Sequence, residues 1–161
     1  MIEKATGNLL HADVEALVNA VNCIGIMGRG IALQFKNEFP ANFAAYRNAC
    51  KRSEVRPGRM FIFDLNRITN PRFVINFPTK RHWKENSRME DIQAGLTDLA
   101  VHVANMEIRS IAIPPLGCGL GGLSWSVVLP MIEKAFENLR SVRVLLFEPA
   151  NANRITNAAK S

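Results

Sequence analysis

The sequence predicts an α/β domain with a largely parallel sheet that is covered by helices on both faces. A buried strand, a glycine-rich loop and a helix follow one another twice, with the loops at 25–30 and 117–122. Further β-rich runs alternate with helical patterns along the chain, which is typical of this fold class. Because ligands of such sheets bind beyond the carboxyl ends of the strands, we expect both loops to border one site.

The predicted strands and helices follow from apolar periodicity. In the first half, short apolar runs predict strands at 2–5 and 15–20, and a helix runs from Ile31 to Phe39, where Pro40 stops it. A second helix is expected at 42–52, followed by a turn at Pro57-Gly58. In the second half, the patterns predict strands at 60–65, 72–77, 110–113 and 142–148, helices at 89–106 and 126–139, and a basic surface loop at 79–88.

Composition is that of an ordinary single globular domain, which we place at 1–150, with a polar tail or linker at 151–161. The three cysteines form neither a disulfide framework nor a CxxC pair, so a cytoplasmic location is expected. Neither a metal site nor a cofactor is predicted, because the three histidines show no ligand spacing with any cysteine. The net charge of +6 favours a polyanionic partner, although a soluble basic surface explains it equally well.

The two glycine-rich loops suit a diphosphate. Neither is a P-loop, and the spacings GxxGxG at 25–30 and GxGxGG at 117–122 match the dinucleotide fingerprint only weakly. Two facing loops can each donate backbone N–H groups to one side of a diphosphate. Asn8 and Asn22 follow strands and offer amide hydrogen bonds to the two ends of a ligand. The alternative is that each asparagine bonds its own turn.

Four blocks carry a resemblance to a known family: TGNLL at 6–10, ALVNAVN at 16–22, MGRGIA at 27–32 and PLGCGL at 115–120. In this order they resemble the macrodomain family. The resemblance implies a three-layer α/β/α sandwich around a mixed, largely parallel sheet of about six strands, with ADP-ribose as the ligand. Thr79-Lys80 and the segment from Gly117 to Trp125 resemble the ALC1-like branch. The whole pattern is most similar to antitoxin members that remove ADP-ribose from thymidine in DNA.

The resemblance also implies roles for particular residues. Lys80 is the expected catalytic residue, Asn8 and Leu9 would face the adenine, and Asn22 would lie near the distal ribose. The diphosphate would lie between two groups of residues, which are Gly28, Arg29, Gly30 and Ile31 on one side and Gly117, Cys118, Gly119, Leu120 and Gly121 on the other. Two positions depart from the expected pattern. Asn8 stands where the family usually has an aspartate, and Gly121 stands where the ALC1-like enzymes have one.

The function implied is that of a hydrolase releasing ADP-ribose from modified thymidine in single-stranded DNA. Lys80 would act as a nucleophile or in proton transfer, and either role calls for a depressed pKa, because a free lysine is protonated at pH 7. The alternatives are an ADP-ribose-binding module without activity, which the missing carboxylate at Gly121 favours, and a hydrolase of ADP-ribosyl esters on acidic protein side chains. From the residues alone, Lys80 would be a solvated cation of its loop.

The basic loop supplies candidate DNA contacts, namely Arg81, His82, Trp83 and Lys84. Its cations would meet phosphates, and Trp83 would either stack on an unpaired base or pack against the domain. The expected partners are therefore ADP-ribosylated DNA and a cognate DNA ADP-ribosyltransferase toxin, with ADP-ribose as the product. We expect a monomer that does not associate with membranes.

Overall fold

The structure is a computed structural model that describes residues 1–150. One mixed sheet contains six strands, which we number β1 (Ile2–Ala5), β2 (Ala16–Val21), β3 (Phe61–Asp64), β4 (Phe73–Pro78), β5 (Ser110–Ile113) and β6 (Arg143–Phe147). The four α-helices are α1 (Gly30–Glu38), α2 (Pro40–Lys51), α3 (Met89–Asn105) and α4 (Trp125–Phe136). Short 3-10 turns lie at Leu9–His11 and Gly119–Gly121. Each predicted strand and helix is present.

The strands are arranged in the order β1-β6-β5-β2-β4-β3. All neighbouring pairs are parallel except β3 and β4, so the predicted mixed, largely parallel sheet is confirmed. Strand β2 is central, and it reads Ala-Leu-Val-Asn-Ala-Val with nearly every residue buried. A continuous apolar run of this kind is typical of a parallel strand covered on both faces.

Helices cover both faces, which confirms the three-layer sandwich. On one face, α3 and α4 bury an apolar stripe that includes Leu96 and Ile132 against Ile75 and Ile111 of the sheet. On the opposite face, Phe35 of α1 packs with the sheet residues Leu17, Val74 and Ala112. Side chains of a strand alternate between faces, so adjacent residues such as Val74 and Ile75 belong to different cores.

The element bounds differ from the predicted ones mainly near two prolines. Pro40 is the first residue of α2 as well as the residue that ends α1, because its missing N–H costs nothing in the first turn of a helix. Pro130 lies inside α4, beyond its first turn. That helix ends at Phe136, three residues before the predicted end, since Leu139 belongs to a turn in which its N–H donates to the carbonyl of Phe136.

Beyond β6, the predicted tail at 151–161 lies outside the described residues, so the domain boundary at 150 stays a prediction. Within residues 1–150, no helix combines the length and the apolar character that crossing a bilayer requires.

Three fully buried asparagines join α2 to the sheet, which the sequence did not indicate. Asn76 of β4 lies opposite Asn19 of β2 and exchanges hydrogen bonds with Asn42 of α2. The Nδ2 of Asn76 donates to the Oδ1 of Asn42 at 2.8 Å, and the reverse bond measures 3.3 Å. The Nδ2 of Asn19 also donates to the Oδ1 of Asn76 at 3.3 Å. This buried network fixes α2 beside the ends of β2 and β4.

We predict that Asn42→Ala lowers the free energy of unfolding by about 1–3 kcal/mol, because the Oδ1 and the Nδ2 of Asn76 each lose one of their two hydrogen bonds in a buried site. Urea denaturation measures the loss. Asn48→Ala is the matched control, since Asn48 is an exposed residue of the same helix and should change stability by less than about 0.5 kcal/mol. Equal losses in the two variants would contradict a structural role for the network.

Candidate functional site

Three loops meet at the carboxyl edge of the sheet. We call them the first glycine loop (22–30, after β2), the lysine loop (79–88, after β4) and the second glycine loop (114–122, after β5). They lie side by side because β2 pairs in parallel with β4 on one side and with β5 on the other. Between them is a cleft of about 840 Å³. That volume is in the range of sites for small organic ligands.

Most of the predicted site residues line this cleft. They are Asn22, Gly28, Arg29, Gly30, Ile31, Lys80, Trp83, Lys84, Gly117, Cys118, Leu120 and Gly121. The lining does not include Asn8, Leu9, Gly119, Arg81 or His82. It does include residues to which the sequence assigned no role in the site, notably Ile26, Glu85, Asn86 and Pro114. Thr79 and Pro115, which belong to the motifs of the resemblance, also line it. Glu85 and Asn86 belong to an aperiodic loop without a motif, and their only signal was their closeness to Lys80.

The first glycine loop is folded around the side chain of Asn22. Its Oδ1 accepts hydrogen bonds from the N–H of Ile24 at 3.1 Å and from the hydroxyl of Tyr46 at 2.8 Å. Its Nδ2 donates to the carbonyl of Ile26 at 2.8 Å. An asparagine that bonds its own turn, the alternative given in the sequence analysis, therefore describes both amide atoms of this residue. Asn22 also lines the cleft, and its contact with a ribose stays a prediction.

The same loop leads into the N-terminus of α1. Gly30, Ile31 and Ala32 form the first turn of that helix, and all three line the cleft. The N–H groups of a first helical turn have no intrahelical partner, and the helix dipole adds a partial positive charge there. The exposed Arg29 precedes this turn. This side of the cleft is therefore suited to an anion.

The second glycine loop faces that helix end. A Cβ built on Gly30 would lie 3.9 Å from the Cδ1 of Leu120, so the two glycine loops approach each other across the cleft. Gly117 has a φ of +73°, and a Cβ there would lie 2.8 Å from the Cδ1 of Leu123. The left-handed backbone favours glycine at this position, and a side chain here would also require the end of the Leu123 side chain to move.

Lys80 lines the cleft, and the pKa of its side-chain amine is lower than that of a free lysine. Burial, and then the positive charge of Arg29, lower the pKa of the Lys80 amine. Its Nζ lies 3.5 Å from the carbonyl oxygen of Trp83, a long hydrogen bond. Among residues 1–150, no carboxylate forms a salt bridge with Lys80. The neutral, nucleophilic form of the amine is therefore more accessible than in a free lysine.

The thiols near the cleft are poor nucleophiles at neutral pH. Burial raises the pKa of Cys118, which lines the cleft, to about 11. Burial, and then the neighbouring Cys50, raise the pKa of Cys23 to about 11 as well. The thiolate is the reactive form of cysteine, so these groups stay inert near pH 7. Lys80 is thus the better candidate for nucleophilic chemistry in the cleft.

The lysine loop is tied to both glycine loops. The N–H of Cys23 donates to the carbonyl of Arg81 at 3.3 Å, near the start of the lysine loop. The N–H of Ser87 donates to the carbonyl of Gly121 at 2.9 Å, near its end. Each hydrogen bond crosses to a different glycine loop, so the segment that carries Lys80 spans the cleft.

The predicted DNA contacts separate into two groups. Trp83 and Lys84 line the cleft, with the Nζ of Lys84 5.1 Å from the Trp83 ring centroid. Arg81 instead forms a bidentate salt bridge with the buried Asp91, with Nε–Oδ2 and Nη2–Oδ1 distances of 3.1 and 3.2 Å. His82 stacks on Trp83 with ring centroids 5.7 Å apart. Arg81 and His82 therefore support the loop, and their contacts with DNA stay predictions.

Asn8 and Leu9 lie away from the cleft lining. The exposed Asn8 caps a 3-10 turn, where its Oδ1 accepts from the N–H of Leu10 at 3.0 Å. Leu9 is 3% exposed and belongs to the core beneath α1. The alternative of a turn asparagine thus describes the Oδ1 of Asn8. The adenine contact predicted for these two residues remains untested, and for Leu9 only its backbone is suited to it.

The structure is thus an α/β/α sandwich with a ligand-sized cleft between two glycine loops. The Macro domain model matches residues 18–132, and the chain belongs to this family. The resemblance inferred from the four sequence blocks is thereby confirmed.

Curated relatives and solved structures support the same family assignment. The DNA ADP-ribosyl glycohydrolase of Thermus aquaticus is 50% identical over 149 residues, which are 92% of this chain and 41% of that protein. Its counterpart in Mycobacterium tuberculosis is 48% identical over 154 residues, 96% of this chain and 44% of that protein. The chain thus spans about two-fifths of the length of these relatives.

The macrodomain of Mycobacterium tuberculosis DarG has a TM-score of 0.92 at 49% identity, covering 93% of this chain and 99% of that chain. The structure of Thermosipho africanus DarTG in complex with ADP-ribose has a TM-score of 0.85 at 31% identity. It covers 93% of this chain and 42% of that chain.

Proposed function

We propose that this domain is a DNA ADP-ribosyl glycohydrolase that releases ADP-ribose from modified thymidine in single-stranded DNA and so acts as an antitoxin. The names of the relatives from Thermus aquaticus and Mycobacterium tuberculosis support the reaction class. The observation that carries the proposal is the position of Lys80, whose pKa is lowered, beside a cleft between two glycine loops.

Binding of the ADP-ribosyl group follows from the chemistry of the cleft. The diphosphate would lie between the N-terminus of α1 and the second glycine loop, where backbone N–H groups and Arg29 attract negative charge. The ADP-ribose in the Thermosipho africanus relative supports this choice of ligand. The distal ribose would then reach Asn22 and Lys80, which line the same cleft.

The lowered pKa favours a nucleophilic role for Lys80. Its neutral Nζ attacks the anomeric carbon, the bond from that carbon to the base nitrogen breaks, and the electron pair leaves with the base. The base takes a proton from the new ammonium group, and the ribosyl ring opens to give a Schiff base. Water then adds to the Schiff base and restores ADP-ribose and free lysine. In the alternative, protonated Lys80 donates a proton to the departing base while water attacks.

Trp83 and Lys84 are the best placed contacts for DNA around the modified base. Trp83 is 42% exposed, and an unpaired base would stack on its ring by displacing His82 or the Nζ of Lys84, which now lie against it. The cation of Lys84 is suited to a neighbouring phosphate. Arg81 contributes less, because Asp91 already neutralises its charge.

The proposal also includes a toxin as the partner protein and a cytoplasmic location. A relative in Thermosipho africanus, 33% identical over 141 residues, is a fusion of a DNA ADP-ribosyl transferase and a DNA ADP-ribosyl glycohydrolase. This fusion supports a cognate transferase toxin as the functional partner of our chain. The three cysteines are free thiols, which supports a reducing, cytoplasmic setting.

A binding module without activity is the second candidate function, and Gly121 favours it, because the glycine leaves the second loop without a carboxylate. Incubation with ADP-ribosylated oligonucleotide and with ester-linked ADP-ribosylated protein separates the candidates. Release of ADP-ribose from DNA alone supports our proposal. Binding with neither substrate consumed supports the binding module, and turnover of the ester alone supports the protein-directed hydrolase.

We predict that Lys80→Ala slows release of ADP-ribose from modified DNA by about a hundredfold or more, because the acting group is removed. Affinity for free ADP-ribose, measured by calorimetry, should change little. Lys134→Ala, which removes an exposed lysine of α4, is the control and should keep the parental rate. Parental activity in Lys80→Ala would refute the assignment. With wild-type protein, borohydride should trap a covalent adduct on Lys80 only in the Schiff-base mechanism.

A further prediction concerns pH. The rate at saturating substrate should rise with pH as Lys80 loses its proton, with a midpoint below the ordinary lysine value of about 10.4. The charge of Arg29 lowers the pKa of Lys80, so Arg29→Gln should raise that pKa and move the midpoint to higher pH. At pH 7.5 the variant should therefore be slower. A kcat that does not rise with pH would show that Lys80 does not act as the neutral amine, and an unchanged midpoint in Arg29→Gln would show that Arg29 does not affect its pKa.

For DNA binding, we predict that Lys84→Ala weakens affinity and reduces the slope of log K against log salt concentration by about one, since one phosphate contact is lost. Arg81→Ala should change the slope less, because Arg81 is paired with Asp91. Fluorescence anisotropy with an unmodified oligonucleotide measures both slopes. Lys134→Ala again serves as the control. Equal slopes in wild type and Lys84→Ala would place the DNA on another surface.

A further inference from the structure

The lysine loop and the second glycine loop touch through Ser87 and Gly121. Besides the hydrogen bond from the N–H of Ser87 to the carbonyl of Gly121, the Ser87 side chain fills the space beside the glycine. A Cβ built on Gly121 would lie 2.5 Å from the Oγ of Ser87 and 3.2 Å from its Cβ. Real Cβ atoms essentially never lie 2.5 Å from another atom, and 3.2 Å is also tighter than most contacts, so a side chain at 121 would require Ser87 or the loop to shift.

Space, and not backbone conformation, is what requires glycine here. Gly117, Gly119 and Gly122 have positive φ values of 73°, 67° and 78°, whereas Gly121 is outside the left-handed region. Alanine at 121 would thus be free of backbone strain, and its cost would arise from the contact with Ser87. The substitution therefore probes one contact between two loops.

Ser87 is buried, and its hydroxyl has no hydrogen-bond partner among residues 1–150. The side chain is consequently held by packing and by its backbone hydrogen bond. The adjacent Asn86 lies over Gly122, where a built Cβ would be 3.4 Å from the Asn86 Oδ1. The end of the lysine loop therefore rests on two consecutive glycines of the second glycine loop.

The opposite end of the lysine loop is fixed to the first glycine loop. The Sγ of Cys23 donates to the carbonyl of Lys80 at 3.5 Å, next to the hydrogen bond between Cys23 and Arg81. Lys80 thus belongs to a segment that is fixed on both sides of the cleft, with Val21, Cys23 and Asp91 holding its start and the second glycine loop holding its end. A shift at Ser87 removes the attachment to the second glycine loop.

We infer that Ser87 and Gly121 are positioning residues, which form a contact through which the second glycine loop sets the place of Lys80. This inference rests on the proposed function, because Lys80 acts on the ribose in that proposal. It also accounts for the missing carboxylate, since the place that an aspartate side chain would need at 121 is filled by Ser87. Misplacement of a catalytic group by about 1 Å can cost about a hundredfold in rate.

The test uses Gly121→Ala with Ser87→Gly as its compensating change. Gly121→Ala should increase hydrogen–deuterium exchange at 81–88 and lower kcat by about tenfold to a hundredfold. Affinity for free ADP-ribose should change much less than kcat. In the double variant Gly121→Ala/Ser87→Gly, the methyl group gains room, so both exchange and kcat should return toward wild-type values. A direct clash of the methyl group with the ligand would not be relieved in this way.

Two further variants complete the design. Gly28→Ala is the control for exchange, because the nearest atom to its built Cβ is the Cγ2 of Ile26 at 3.6 Å, an ordinary contact. It should leave exchange at 81–88 unchanged. Ser87→Val brings extra bulk from the other side of the contact and replaces Gly121→Ala if that protein does not fold.

Unaltered exchange in Gly121→Ala, or a double variant that recovers neither exchange nor kcat, would overturn the inference. The exchange measurement does not depend on turnover. If wild-type protein releases no ADP-ribose while the exchange pattern follows the expectation, the contact between the loops stands and the proposed function fails.

Discussion

The parallel pairing of β2 with both β4 and β5 is the constraint on which the site depends. Parallel neighbours end at the same edge of a sheet, so the loops that follow these three strands must meet. In the register of β2 with β4, Val21 lies opposite Pro78, and their loops therefore leave the sheet at the same level. The amide network around Asn76 stabilises this arrangement from beneath, because it joins both strands to α2.

Burial and the charge of Arg29 both lower the pKa of Lys80. Removing the amine from water penalises its charged form, and the nearby Arg29 adds repulsion. The same guanidinium group would attract the diphosphate of a ligand. One arginine can thus serve both the affinity for the substrate and the reactivity of the lysine, which explains why these two positive groups are close together beside a binding cleft.

The sequence was informative wherever a function depends on a local pattern. Apolar periodicity located each strand and helix, and the spacing of Gly28, Gly30, Gly117 and Gly121 located the two walls of the cleft. The role of Lys80 was predicted only through the resemblance to a family, since a single lysine in a basic loop has no physical signature.

Contacts between distant segments escaped prediction because no periodicity encodes them. The hydrogen bonds between Asn42 and Asn76 join residues 34 positions apart, and the salt bridge of Arg81 with Asp91 links a loop to a helix. Ser87 was unremarkable in sequence, since its importance lies in the volume that it occupies beside Gly121. Such features follow from packing in three dimensions.

The close fit of Ser87 against Gly121 has a consequence for how these two positions can change over evolutionary time. A side chain at 121 is compatible with this arrangement of loops only if the residue at 87 becomes smaller or its loop moves. Whether a carboxylate at 121 fits this cleft therefore depends on the residue at 87 and on the course of the lysine loop, so the two positions are physically coupled.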